Sequence, residues 1–181
     1  FADPEAPKPL IDTVDDPDGA AVFAHFRFGA YPKPNVNGMI GIRWRVGRNS
    51  IIDDIHSLNT EGQGGYYGYA PLLITGSGGG HIRQFWAPWN RTSGPGLIII
   101  KSTTEPIVLY GVSLEHNKTN PGLFIDNAKN ITVRLIQTEG TNGVVVANDS
   151  SNLTFNNSYY AGIVEDSHPT AMRFTDCRNV E

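Results

Sequence analysis

Glu115 in "SLEHN" and Glu139 in "QTEG" stand 24 residues apart, and the "NKTNPG" between them has the composition of a slightly enlarged turn. If the chain advances by one coil over that distance, both carboxyl groups fall at similar places on adjacent coils. Backbones one coil apart lie about 5 Å from each other, which brings the side chains within reach. Two close carboxylates resist ionising together, and this is one way a carboxyl group is kept protonated to serve as a general acid. Glycoside hydrolysis needs such an acid and a second group that handles water or the sugar ring. Chance stacking among the 18 acidic residues gives the same spacing, and His116 beside Glu115 is placed to neutralise it.

Other residues bear on the same chemistry. "YYGYAP" and "QFWAPWN" gather aromatic side chains, of which Tyr66, Tyr67, Trp86 and Trp89 are candidates for stacking on sugar rings, with His116 as a polar neighbour. Packing beneath a loop or over one end of the fold is the alternative use of these rings. "IIDDIH" and "GGGHIR" are similar to the paired-Asp and Gly-His turns of polygalacturonases, with Asp53 and Asp54 preceding His81 by about one coil. The flanking "NTD" and "RIK" of that pattern are missing. No metal or cofactor is expected. Asp53, Asp54 and Asp126 do not follow the spacing of a calcium loop, and five scattered histidines with one cysteine form no zinc pattern. "GSGGGH" lacks the Lys-Ser/Thr of a phosphate-binding loop. Six Asn-x-Ser/Thr sequons, at Asn90, Asn117, Asn130, Asn148, Asn152 and Asn156, are glycosylation candidates in a secreted protein. They also arise by chance in a chain rich in Asn and Thr.

The elements that must position these residues show in a repeat. "DNAKNITV" (126–133) and "NDSSNLTF" (148–155) superpose with a shift of 22, and "TDCRNVE" (175–181) is a shorter third copy. Asn130, Asn152 and Asn179 share one slot, each followed by an aliphatic residue. "GLIIIKSTTEPIVLYGV" is a looser copy with Pro106 in that slot. Upstream, "MIGIRWRVG" alternates Ile40, Ile42, Trp44 and Val46 with Arg43 and Arg45, the pattern of a half-buried strand. No stretch of ten or more residues carries a helical apolar period. A repeat near 22 residues without helix predicts an all-β, right-handed parallel β-helix with coils of about 22 residues. The aliphatic slot fills its interior, and each Asn marks a corner where stacked amides hydrogen-bond one another. A β-sandwich is the rival fold, but it gives no reason for Asn at a fixed shift.

Composition sets the outer bounds. The 181 residues are 39% hydrophobic, enough for a core, and 20 glycines mark frequent turns. A net charge of −4 argues against nucleic acid, and no apolar run approaches a membrane span. Residues 1–37 are rich in Pro, Asp and Ala and read as an extended arm, too acidic and Pro-rich to form a coil. Its aromatic patch, Phe23, Phe26, Phe28 and Tyr31, is expected to dock on its own domain or on a neighbour. Residues 38–181 form the β-helix domain. The chain starts without Met and stops inside a repeat copy, so it reads as a processed product or a piece of something longer.

The stretch "LYGVSLEHNKTNPGLFIDNAKNITVRLIQTEG" (109–140) resembles the pectate-lyase-like β-helix proteins, and above all the second β-helix of glycoside hydrolase family 55, the β-1,3-glucanases. That family carries a similar "YG…EH", an Asn turn and "Q(S/T)E". The resemblance implies that Glu139 is the general acid and that Glu115 assists it. It further implies an extracellular, polysaccharide-directed protein, with a second β-helical half supplying the water-positioning groups. This chain departs from it in the added "NPG" and in being one half only. The other reading is a non-catalytic structural protein that assembles end to end through its open solenoid ends.

Overall fold

The computed structural model describes residues 3–29, 37–57, 67–88, 91–161 and 171–181. The chain begins with β1 (Lys8–Asp12), β2 (Val22–Phe28), β3 (Met39–Trp44), β4 (Ile51–Ser57), β5 (Tyr67–Gly68) and β6 (Ala70–Thr75). It continues through β7 (Gly80–Ala87), β8 (Arg91–Thr92), β9 (Ile98–Lys101), β10 (Ile107–Glu115), β11 (Leu123–Asp126) and β12 (Lys129–Glu139). The last strands are β13 (Val145–Asn148), β14 (Ser151–Asn156), β15 (Tyr159–Ala161), β16 (Met172–Thr175) and β17 (Arg178–Val180). No helix occurs among the described residues.

One seven-stranded sheet runs β1-β3-β6-β9-β11-β13-β16, and a second runs β2-β4-β7-β10-β12-β14-β17 with β15 beside β12. Strands β5 and β8 form a separate pair. Sequence neighbours therefore alternate between the sheets, while sheet neighbours are one coil apart and parallel. This is a parallel β-solenoid, and the antiparallel pairing of a sandwich is absent from the described strands. The period differs from the 22 residues that the repeat predicts. That step holds where Ile131 pairs with Leu153, but others reach 31, from Lys8 to Met39, and the average is about 27. The turns between coils absorb insertions, and the strands keep register.

Each long strand of the second sheet bends at one residue. Asp54, Gln84, Gly111 and Leu135 have φ between 51° and 63°, the left-handed region, and occupy successive positions of one column. The bend resets which side chains face inward. In β10, Ile107 and Leu109 are buried before Gly111, and Val112 and Leu114 after it. The second sheet thus presents two outer faces on either side of this corner. Stacked Ile, Leu and Val fill the interior, each contributing roughly 1.5–3 kcal/mol by burial. Buried Trp44 keeps its indole satisfied by donating to the Gly79 carbonyl at 3.1 Å.

The Asn slot is a ladder. The Asn179 amide donates to Asn152 Oδ1 at 3.0 Å, Asn152 to Asn130 Oδ1 at 2.8 Å, and Asn130 to the Thr104 carbonyl at 3.0 Å. All three have φ of 51–61°, which Asn tolerates better than most residues.

The stretch 1–37 corrects the expectation that it cannot form a coil. β1 pairs with β3 and β2 with β4, so this segment supplies the first coil and docks on its own domain. Pro9 is accommodated because β1 is an edge strand. Asp12 holds Arg43 and Arg45 of the next coil, which turns acidic character into a fastening. Phe28 is buried, and Phe23 packs on Phe26 at 5.2 Å. Tyr31 lies outside the described residues.

Candidate active site

Glu115 ends β10, Glu139 ends β12, and the two are direct register partners on adjacent coils. Leu114 and Thr138 beside them are fully buried, so alternation turns both glutamates to the outer face, where each is half-buried. The backbone beyond each turns in the same way. His116 has φ 58° and Gly140 φ 61°, and the His116 amide donates to the Glu139 carbonyl at 2.6 Å. The enlarged "NKTNPG" turn therefore leaves the pairing of the glutamates intact.

Two donors converge on one oxygen of Glu115. Ser113, two residues earlier on the same strand face, donates its hydroxyl to Oε1 at 2.7 Å. Trp86, from the preceding coil, donates its indole N–H to the same atom at 3.1 Å. These bonds fix the Glu115 rotamer. Among the described residues, no side-chain donor is placed in the same way on Glu139.

Trp86 is itself braced. The His56 ring meets it edge-on at a centroid distance of 5.3 Å, and His56 Nε2 lies 3.0 Å from Asp54 Oδ1. Asp54 also bonds His25, and that hydrogen bond is the main cause that lowers its pKa from 3.8, with His56 adding to it. A polar line thus runs along one outer face from the first coil to Glu115.

Glu115, His116 and Glu139 each offer a donor atom, all within 4.8 Å of one another. Ligands at 2.0–2.2 Å from one ion lie at most about 4.4 Å apart, so small rotations would let the three hold a divalent cation. The spacing of Glu115 and Glu139 brings these residues together across one coil, but a short-range metal-ligand pattern does not show them, because the third donor comes from the next coil.

The remaining candidates are dispersed. Asp53 pairs with Arg83 at 2.8 Å, Asp54 with the two histidines, and His81 stands opposite Ile51, so the polygalacturonase-like set does not form a cluster. Tyr67 sits on β5 in the separate two-stranded sheet. Tyr66, Trp89 and Asn90 lie outside the described residues. Among the sequons, Asn117 is 1% exposed and donates its amide to Thr92 Oγ1, Asn130 and Asn152 form the ladder, Asn148 is half-buried, and Asn156 is exposed. An open groove beside the ladder, lined by Pro106, the three ladder asparagines, Thr132, Thr154 and Glu181, belongs to the other outer face and contains neither Glu115 nor Glu139.

Ser113 is a functional candidate that the sequence reading passes over, although its i, i+2 relation to Glu115 is a usable signal. Gln137 and Tyr159 are two more. They share a column with Trp86 and Ser113, through the pairs Trp86–Ser113, Ser113–Gln137 and Gln137–Tyr159.

No protein-family model, no curated protein and no solved structure matches this chain.

Proposed function

We propose that the chain is an extracellular carbohydrate-active β-solenoid resembling half of a β-1,3-glucan hydrolase, with Glu139 as general acid and Glu115 as its anchored partner. The observation that carries this reading is the in-register pairing of the two glutamates on an outer face beside an exposed tryptophan. Glu139 delivers its proton to the bridging oxygen. The bond from the anomeric carbon to that oxygen breaks, and a water adds its hydroxyl to the carbon and gives up its proton to a base.

We do not assign that base to Glu115, whose nearest ligand oxygen lies within 4.8 Å of that of Glu139, on the short side of the roughly 6.5–9.5 Å between carboxyl groups that leaves room for a water between acid and base. Glu115, locked by Ser113 and Trp86, instead holds Glu139 and the sugar in place. The water-activating group comes from outside this face, in keeping with the two-half architecture implied by the resemblance.

The test is reducing-sugar release from laminarin by the protein and by Glu139→Gln, with and without added divalent cations. The expected result is release by the native chain and a fall of about 10²–10⁴-fold in the variant. Equal rates for the two, or no release by the native chain even when it is mixed with a complementary β-helical half, would remove the hydrolase reading.

A further inference from the structure

We infer that a neutral linear glycan binds along the solenoid axis on this face, with Trp86 and Tyr159 as aromatic platforms on either side of the glutamate pair. This inference rests on the carbohydrate reading above and adds a direction, a length and a charge preference to it. The column Trp86, Ser113, Gln137, Tyr159 occupies four successive coils in strict register. Three steps of about 4.8 Å separate its ends, roughly 14 Å, which is longer than a disaccharide and suits a run of several linked hexoses.

Both ends are accessible rings, Trp86 at 38% and Tyr159 at 61% exposure, although exposed aromatic surface is unfavourable in water. Apolar faces of sugar rings stack on such platforms, and the Tyr159 phenol offers a polar contact at its edge. The two middle coils present the Ser113 hydroxyl and the Gln137 amide. Two residues further along the same strands, and so on the same face, stand Glu115 and Glu139. A glycan laid from ring to ring would cross the carboxylate pair at its middle.

Trp86 is preset for this role. His56 meets its ring edge-on, and its N–H is held by Glu115, so the platform and the anchored glutamate move as one unit. The charge preference follows from the same pair. A polyuronate would bring further carboxylates onto two glutamates, and like charges there oppose binding. The ligand class is therefore an uncharged hexose polymer.

The experiment is calorimetric binding of laminarihexaose and laminaribiose to the Glu139→Gln protein, in which the ligand is not consumed, and of polygalacturonate to the native protein, which keeps both carboxylates. The hexaose should bind at least about tenfold tighter than the biose, and Trp86→Ala and Tyr159→Ala should each weaken it by about tenfold. Trp86→Phe should retain most of the affinity, which guards against a folding defect in the alanine variant. Tyr110→Ala, an exposed ring on the other outer face, should change nothing. Unchanged hexaose affinity in Tyr159→Ala, or polygalacturonate binding as tightly as the hexaose, would overturn the inference. Ring-dependent binding without hydrolysis by the native chain would sink only the catalytic reading. Hydrolysis with full affinity in Tyr159→Ala would sink only this one.

Discussion

Two stacks of identical residues run up this solenoid, and they behave in opposite ways. At one corner Asn130, Asn152 and Asn179 satisfy each other, because an amide carries both donors and an acceptor and can be repeated without limit. On the neighbouring face Glu115 and Glu139 occupy the same register relation, but an ionised carboxylate only accepts. Stacked glutamates need outside donors, a proton or a cation. Trp86 and Ser113 both donate to Glu115. A stack that completes itself serves the fold, and a stack that opposes itself has to be explained by what it binds.

The sharpest way to break this contrast is activity. Glu139→Gln should lower laminarin hydrolysis by about 10²–10⁴-fold, whereas Asn152→Ala should leave the rate per folded molecule unchanged. Comparable losses in the two variants would erase the distinction. Stability should divide them the other way. Asn152→Ala removes two ladder bonds and forces an alanine to φ 56°, so chemical denaturation should show a loss of about 1–3 kcal/mol. Asn152→Gly relieves the backbone strain and should lose less. A glycine variant as damaged as the alanine one would show that the amide bonds, and not the left-handed backbone, dominate. A smaller effect is expected from Glu115→Gln, which removes a like charge directly opposite another and should raise stability by about 0.2–1 kcal/mol. A clear loss there would make the glutamate pair structural.

Acid sharpens the comparison further, since the amide ladder does not titrate. The Arg43 hydrogen bond lowers the pKa of Asp12 below its ordinary 3.8, and the His25 hydrogen bond does the same for Asp54. A depressed folded-state pKa contributes stability that is present above 3.8 and is lost as pH falls through that value towards the folded one. Urea midpoints should therefore hold steady from neutral pH and fall below about 3.8. Asp12→Asn should flatten part of that acid limb. An acid limb of unchanged slope in the variant would remove Asp12 from the explanation.

The sequence showed the self-completing stack better than the opposing one. Asn in a fixed slot before an aliphatic residue is a local pattern, so the solenoid, its corners and the interior Ile131–Leu153 pairing could be read from it. The period could not, because 22 holds for one coil step and the turns elsewhere are longer. The first coil was obscured by Pro9 and by acids that turn out to hold arginines of the next coil. Glu115 and Glu139 could be paired from spacing, but their surroundings could not. The single-residue bend at Gln84 and Gly111 decides that Trp86 lies beside Glu115, and although glycine permits a left-handed corner at 111, glutamine does not announce one at 84. Tyr159 was missed for a similar reason, because its short strand follows another left-handed residue, Asn157.

Equilibrium urea unfolding of Glu139→Gln beside the native protein tests the contrast most directly. A midpoint equal to or above that of the native chain is expected, since the substitution removes a stacked like charge and no hydrogen bond on which the coil depends. A midpoint lowered as far as that of Asn152→Ala would contradict it, and would make the glutamate pair part of the scaffold.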